Sequence, residues 1–292
     1  MVGNQGRSAA SDAVVAGWVA SLVAAGAAAI GAAMLAEAFR NRLVRTDIEL
    51  EALPRAFDGY RILLVTDIHR RILPRKRLAG LKGTIDLVLA GGDMIEKNCP
   101  LQRLHDNMAL LASIGPVYAV HGNHDYKAGI AKVDRILELN GVRLLTDENI
   151  SLERDGAALW LTGVNHPRTG GRNGYAPLPN LPAGAEKACR IILVHDPMWL
   201  MRRPTVPADL VLSGHTHGGQ IVLPILGLRH VEAFYRAYSA GMYRWPKGDG
   251  TDQEAKLLIS RGFGTAHLPL RFRSPAELNI LTLRLSQSGL SK

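Results

Sequence analysis

Gly214-His215-Thr216-His217-Gly218-Gly219, entered directly from the apolar run Leu210-Val211-Leu212, is the stretch on which the reading of this chain turns. Two imidazoles flanked by three glycines at the end of an aliphatic run have no packing rationale, since such a segment covers no hydrophobic face. Working outward from it, the same pattern recurs. Ile191-Ile192-Leu193-Val194 runs into His195-Asp196, and Val117-Tyr118-Ala119-Val120 leads to Gly122-Asn123-His124-Asp125. Ile85-Asp86-Leu87-Val88-Leu89-Ala90 ends in Gly91-Gly92-Asp93, and Arg61-Ile62-Leu63-Leu64-Val65 ends in Thr66-Asp67-Ile68-His69.

Short aliphatic runs bounded by Gly or Asp are the pattern of strands buried on both faces. Between them, Leu101–Ser113 and Ile130–Asn140 carry apolar residues at helical spacing. Strand, polar loop and helix in repetition predict an α/β domain with its ligands at strand C-terminal ends. Ser151–Val164 reads as a hairpin closed near Asp155-Gly156, and Lys256–Ile259 and Leu278–Leu285 as further strands. We find no internal repeat. The expected organisation is a tail over 1–12, an apolar segment over 13–39, a linker and first strand over 40–59, and one catalytic domain over 60–292.

Taken singly, several of these loops are weak signals: a Gly-Asp pair at a strand end is usually a turn with a helix cap. Taken jointly, they put seven oxygen or imidazole donors, Asp67, His69, Asp93, Asn123, His195, His215 and His217, where buried strands end. Such donors without thiolates suit Mn²⁺, Fe, Zn²⁺ or Mg²⁺, with Mn²⁺ favoured. They suffice for two ions sharing a bridging carboxylate, an arrangement that hydrolyses phosphate esters.

Composition narrows the alternatives. A 47% hydrophobic content over 292 residues excludes global disorder and supplies a substantial core. Two cysteines, Cys99 and Cys189, exclude a disulfide-stapled scaffold and a four-thiolate zinc site, and we expect both to be reduced. The formal charge of +9 permits a polyanionic partner, and its distribution is informative. Three arginines lie in residues 40–45 and five cations in residues 70–77, so these eight account for all but one of the net charge. No basic stripe with interleaved aromatics marks a nucleic-acid platform.

Residues Ala13 to Ala36 carry no charged side chain. As a helix these 24 residues would span roughly 36 Å, against about 30 Å for a bilayer core. Eleven of them are alanine, so the segment is only modestly hydrophobic, and a cleaved signal or a buried Ala-rich helix would share its composition. The expectation is a single-pass anchor. Arg40, Arg42 and Arg45 follow the apolar run, whereas Arg7 and Asp12 precede it, which predicts a cytoplasmic-facing C-terminal domain.

The ordered set D-x-H at Asp67-His69, G-D at Asp93, G-N-H-D at Gly122-Asp125, the lone His195, and G-H-T-H at Gly214-His217 resembles the calcineurin-like metallophosphoesterase superfamily over roughly residues 60 to 285. Gly214 to Gln220, and later Ser260-Arg261-Gly262 with Gly264, are similar to its membrane-tethered or exported bacterial phosphodiesterase branch. That branch includes enzymes assigned to UDP-2,3-diacylglucosamine pyrophosphate hydrolysis in lipid A synthesis. The resemblance implies a four-layer α-β-β-α sandwich. It also implies that Asp67, His69 and His217 hold one ion, that Asn123, His195 and His215 hold a second, and that Asp93 bridges both. It implies His124 as the group that protonates the leaving oxygen or stabilises the developing charge. Asp125 would be its orienting partner or a helix cap. Gly92-Asp93 continues into Met94-Ile95-Glu96-Lys97 rather than the D-R-G element of the protein-phosphatase branch, which disfavours that branch.

Arg70 and Arg71, beside the first ligand pair, read as a clamp for a second phosphate or for anionic headgroups; a solvated basic loop is the plainer alternative. The segment from Gln220 to Trp245 mixes aromatic and basic residues and would dock an acylated, phosphorylated substrate at a membrane surface, or merely pack as core. The expected protein is thus a two-metal hydrolase in the bacterial inner membrane acting on a phosphorylated, acylated substrate, with an anionic membrane surface as partner and no obligate protein partner. A nuclease or cyclic-nucleotide phosphodiesterase using the same metals, and a silent membrane scaffold, are the competing readings. His121, His166, His230 and His267 are expected not to be ligands, with His166 lining the site.

Overall fold

The computed structural model describes residues 5–167, 174–224, 227–228, 232–248 and 253–286. Helix α1 (Gln5–Ala38) is followed by strands β1 (Arg42–Leu50) and β2 (Arg61–Val65), helix α2 (Arg75–Ala79), β3 (Leu87–Ala90), α3 (Leu101–Ala112), β4 (Val117–Ala119), α4 (Asn123–Leu139) and β5 (Arg143–Leu144). Next come β6 (Glu148–Arg154), β7 (Ala157–Val164), β8 (Arg190–Val194), β9 (Leu210–Ser213), β10 (Val222–Leu223) and β11 (Gly227–Leu228). Helix α5 (Ala233–Ala237), β12 (Gly241–Pro246), β13 (Glu254–Ile259) and β14 (Glu277–Leu285) complete the order.

The strands form two six-stranded sheets, β1-β14-β2-β3-β4-β5 and β12-β13-β9-β8-β7-β6. In the first, β2 through β5 run parallel; in the second, β13, β9, β8 and β7 do. Each aliphatic run is buried on both faces because alternate side chains point to opposite sides of a strand. Ile62 and Leu64 of β2 meet Ile191 and Leu193 of β8 in the core between the sheets. Leu63 and Val65 face the other way, into a core that Leu78 of α2, Leu104 and Met108 of α3 and Val133 and Leu137 of α4 complete. Helices α2 to α4 therefore cover the first sheet.

The outer face of the second sheet is covered differently. Ile192 and Val194 pack under Trp199 and Leu200 of a 3-10 helix over Pro197–Arg202, with Phe234, Tyr238, Tyr243 and Trp245 alongside. Among the described residues this cover is a 3-10 turn, the five-residue α5 and large rings rather than a layer of long helices; aromatic area stands in for helical area. For those four aromatics the packing explanation of the Gln220–Trp245 segment holds. Arg229 and His230 lie outside the described residues.

Two elements differ from the expectations in an instructive way. The segment after the apolar run is an edge strand, β1, that pairs in parallel with the C-terminal β14 over nine positions, from Arg42 opposite Glu277 to Leu50 opposite Leu285. Helix α4 begins at Asn123 rather than near Ile130, so the G-N-H-D residues form its first turn; the helical path is interrupted at Gly129, whose φ of 101° is open to glycine.

Helix α1 stands clear of the domain, with Trp18, Leu22 and Val23 each about two-thirds exposed (69%, 70% and 67%). Its C-terminal end is tied to the domain. Ala38 is buried, the Arg271 N–H donates to Met34 O (3.1 Å), and Arg71 donates to Ala38 O (3.1 Å).

Candidate metal centre

Parallel strands of both sheets end on one edge, and the loops that leave them are cross-linked through the backbone. The Asp67 N–H donates to Gly92 O and the His69 N–H to Asp93 O, both at 3.0 Å. The loop after β9 joins them, since the His215 N–H donates to both oxygens of Asp67 (3.0 and 3.1 Å). Such close crossing needs glycine: a Cβ on Gly122 would overlap the Asp93 carboxylate, and one on Gly214 would overlap that of Asp67. The ligand residues themselves are bent. Asp67, His69, Asp93, His215 and His217 all have left-handed φ, between 51° and 69°. Each such non-glycine residue costs on the order of 1 kcal/mol or more, which the cross-linked loops must offset.

The side chains gathered here form two donor groups and a third, His69, Asp93 and His124, that overlaps them. Asp67, His69 and His217 form the first, with His69 Nε2 and His217 Nε2 3.0 Å apart and His217 Nε2 3.8 Å from Asp67 Oδ1. Asp93, His195 and His215 form the second, with His215 Nδ1 3.1 Å from His195 Nε2. Asp93 faces both, its Oδ2 lying 3.4 Å from His195 Nε2 and 3.7 Å from His69 Nε2. His195 Nδ1 lies 2.8 Å from Gly91 O; donating its N–H there leaves the Nε2 lone pair pointing into the cluster. The Asn123 Oδ1 is buried without a hydrogen-bond partner. An oxygen in that state needs a ligand, and a hard cation is one it fits. The donor set, all oxygen and imidazole nitrogen, suits divalent cations.

Burial holds the imidazoles of His69 and His217 below their usual range. Burial also lowers His124, to about 4, against the pull of Asp93. For the Asp93–His195 pair, burial opposes both charges, but their mutual attraction prevails. The Asp93 carboxyl lies well below its usual range and His195 is raised to about 10. His69, His124 and His217 are thereby neutral, as cation binding requires, and a cation held by His195 would displace the proton that Asp93 favours there.

His124 donates its backbone N–H to Asp93 Oδ1 (2.7 Å), its ring stands edge-on to His69, and its Nδ1 has no partner. Asp125 does not orient that ring. Its carboxylate accepts the N–H groups of Gly122 (2.8 Å) and Ile95 (3.2 Å), which is the helix-cap alternative; burial and the charge of Asp93 raise it to about 7. Position three of the helix reaches back to the residue before its first turn, and the ring of His124 lies out of that reach.

The two arginines after the first ligand pair part company. Arg70 is exposed and pairs with Glu96 (3.0 Å). Arg71 is turned inward: its guanidinium donates to Ala38 O, Phe39 O, Asn41 Oδ1 and Phe263 O and stacks over the Phe263 ring. With both terminal nitrogens engaged in this way, Arg71 fastens α1 to the loop behind Asp67, a structural task the expected clamp did not include.

Other residues entered the site without a sequence signal. Arg271 is fully buried and donates to the carbonyls of Arg261, Gly262, Gly264, His217 and Ser274, so it pins the G-H-T-H loop to the 261–264 loop. Burial lowers it to about 10. Asp196 Oδ2 lies 3.8 Å from His215 Nε2 and accepts from the Tyr235 hydroxyl (2.9 Å). The carboxylate next to His195 was a readable hint; nothing in the sequence pointed to Tyr235 or Arg271. His166 stacks edge-on 6.0 Å from His195 and lines the site.

This arrangement has relatives. The profile of the calcineurin-like phosphoesterase family matches residues 60–219, more than half of the chain. The chain is 30% identical over 268 residues to the Bacillus subtilis protein YpbG, covering 91% of this chain and 96% of that protein. It is 28% identical to the metallophosphoesterase YkuE of the same organism, with 81% and 83% covered. It is 26% identical to the Escherichia coli phosphodiesterase YaeI, with 77% and 82% covered. Sequence likeness over that span agrees with a site built for divalent cations, and the chain belongs to the calcineurin-like phosphoesterase family as a metal-dependent phosphoester hydrolase.

Proposed function

We propose that the protein is a two-cation phosphodiesterase, with Mn²⁺ the favoured metal, acting on a phosphodiester or pyrophosphate bond in a lipid-linked or nucleotide-sugar substrate. UDP-2,3-diacylglucosamine is the type to try first. The observation that carries the two-cation reading is Asp93, placed between two separate imidazole groups with 3.4 and 3.7 Å to one nitrogen of each. Asp67, His69 and His217 would hold one cation, Asn123, His195 and His215 the other, and Asp93 both. When bound, divalent cations supply Lewis acidity at the phosphoryl oxygens and acidify the attacking water. The chain does the positioning. Asp93 also holds the His124 backbone, so the ring nearest the leaving oxygen is fixed by the carboxylate that unites the two groups. That ring would protonate the leaving oxygen or stabilise the charge that develops on it.

A cavity of about 580 Å³ supports the lipid-linked substrate. Phe39, Ile72 and Pro269 line it together with Arg70, the residue after His69. It lies at the end of α1, which we read as a single-pass anchor in the bacterial inner membrane with the domain on the cytoplasmic side.

Full-length protein in neutral detergent with Mn²⁺ is expected to hydrolyse a generic aryl phosphodiester and to bind two metal equivalents, with kcat/KM highest for a diacylated UDP-glucosamine. Activity that survives rigorous chelation would sink the two-cation reading. Metal content far below one equivalent would favour the silent scaffold. Faster turnover of a cyclic nucleotide or single-stranded DNA would move the substrate class instead.

A further inference from the structure

The two basic runs of the sequence meet in space. Arg40, before β1, Arg42 and Arg45, in β1, and Arg75, Lys76 and Arg77, in α2, line a single open cavity of about 1130 Å³. All six are exposed, and among the described residues none of them forms an ion pair with a carboxylate. Six cations without carboxylate partners around one concavity repel each other, Arg77 being held by the Asn41 carbonyl, and bound anions relieve that repulsion. We propose that this cavity binds the phosphate headgroups of anionic phospholipids, at the membrane face from which α1 emerges.

Lipid is favoured over other phosphates by what borders the cavity. Helix α1 ends at Ala38, two residues before Arg40, and its apolar side chains are exposed. Phe39 and Ile72, 52% and 63% exposed, line the adjoining cavity. Cations beside exposed apolar side chains at the end of an apolar helix match the headgroup layer of a bilayer, where stems and rings sit in the acyl boundary and charges among phosphates. Arg71 fixes the geometry: its bonds to Ala38 O and Phe263 O hold the end of the helix against the domain, so the cavity and the metal centre keep a set orientation to the membrane. The inference rests on α1 being a membrane segment, but its test does not require α1 to cross a bilayer.

The test titrates full-length protein in neutral detergent with dioctanoyl phosphatidylglycerol, dioctanoyl phosphatidylcholine and inorganic phosphate, reading bound ligand by native mass spectrometry. Phosphatidylglycerol is expected to bind at least about tenfold more tightly than either other probe, since each cation near an anionic headgroup contributes about a fivefold gain. The combined variant Arg42→Gln, Arg75→Gln, Lys76→Gln should lose on the order of a hundredfold in phosphatidylglycerol affinity while keeping its fold and its hydrolysis of a soluble aryl phosphodiester. The variant Arg42→Lys, Arg75→Lys should keep binding, because charge rather than shape is used. Equal binding of the two lipids, phosphate binding as tight as the lipid, tighter binding of a single-stranded oligonucleotide, or a glutamine variant that keeps its preference would each overturn the inference. Protease protection of the protein in vesicles reports separately whether α1 spans.

Discussion

The metal centre and the basic cavity at the foot of α1 are both made of charged side chains, and they are built in opposite ways. At the centre Asp67, His69, Asp93, His195 and His217 are buried, five of the ligand residues are held at left-handed φ, and the glycines between them admit no side chain. At the foot of α1 six cations stand exposed, five on an edge strand and a five-residue helix and Arg40 just before that strand. Coordination depends on where a lone pair points, to within tenths of an ångström, so it requires burial, cross-linked loops and a strained backbone. Attraction to an anionic surface acts over a screening length of about 10 Å at 0.1 M salt, so it requires only the charges. Tolerance to substitution should differ accordingly.

The largest effects should come from the centre. Asp93→Asn is expected to lower phosphodiester hydrolysis by on the order of 10³ or more and to reduce bound metal, since a preorganised charge shared by both groups is lost. If His124 serves the leaving group as proposed, His124→Ala should cost on the order of 10² to 10⁴ in kcat yet leave metal content intact. Metal analysis of the two variants side by side checks the division of roles; loss of metal from both would erase it.

Gly122→Ala comes next. It adds one methyl group that collides with the Asp93 carboxylate, and metal affinity should fall about 10- to 100-fold, the size of effect seen when a ligand's support is disturbed. A titration of Mn²⁺ against activity measures it, and an unchanged midpoint would show the loop to be looser than its contacts imply. Salt separates the two regions, with the smallest change at the metal centre. Raising salt from 0.1 to 1 M shortens the screening length from about 10 to 3 Å, so phosphatidylglycerol binding should weaken sharply while hydrolysis of a soluble diester changes by less than about twofold. Equal salt sensitivity of the two would contradict the contrast.

Arg71 joins the regions. Two residues from His69, it clips the helix end and accepts the Phe263 ring beneath its guanidinium at 3.8 Å, while the Phe263 N–H donates to Thr66 O (3.0 Å). A charged residue in a basic run thus became a structural tie, and its neighbours Arg75 and Lys76 remained free of carboxylate partners. Nothing local distinguishes these neighbours in sequence, since the outcome depends on which of them meets the helix end.

Much of the centre was nonetheless legible. Leu210-Val211-Leu212 before Gly214-His215-Thr216-His217, and its four counterparts, announce strands by their unbroken apolar runs and metal chemistry by residue type. The turn at Asp155-Gly156 is observed, with φ of 50° and 75°, because an Asp-Gly pair readily takes the two left-handed φ values of a hairpin corner. Less legible was whatever depended on a distant partner: the parallel pairing of β1 with β14, the role of Asp125 as a cap, and the inward turn of Arg71.

The sequence by itself determined the strands, the order of the ligand-bearing loops, the donor chemistry and an apolar segment of bilayer length, because periodicity and residue type act locally. Only the tertiary structure decided that Asp93 lies between two imidazole groups, that Arg271 holds two loops together, and that two basic runs some thirty residues apart enclose one cavity. Parallel register brings the strand ends to one edge, and stacking two sheets face to face brings the loops of one onto those of the other. No local pattern encodes that convergence; it follows from long-range pairing and burial.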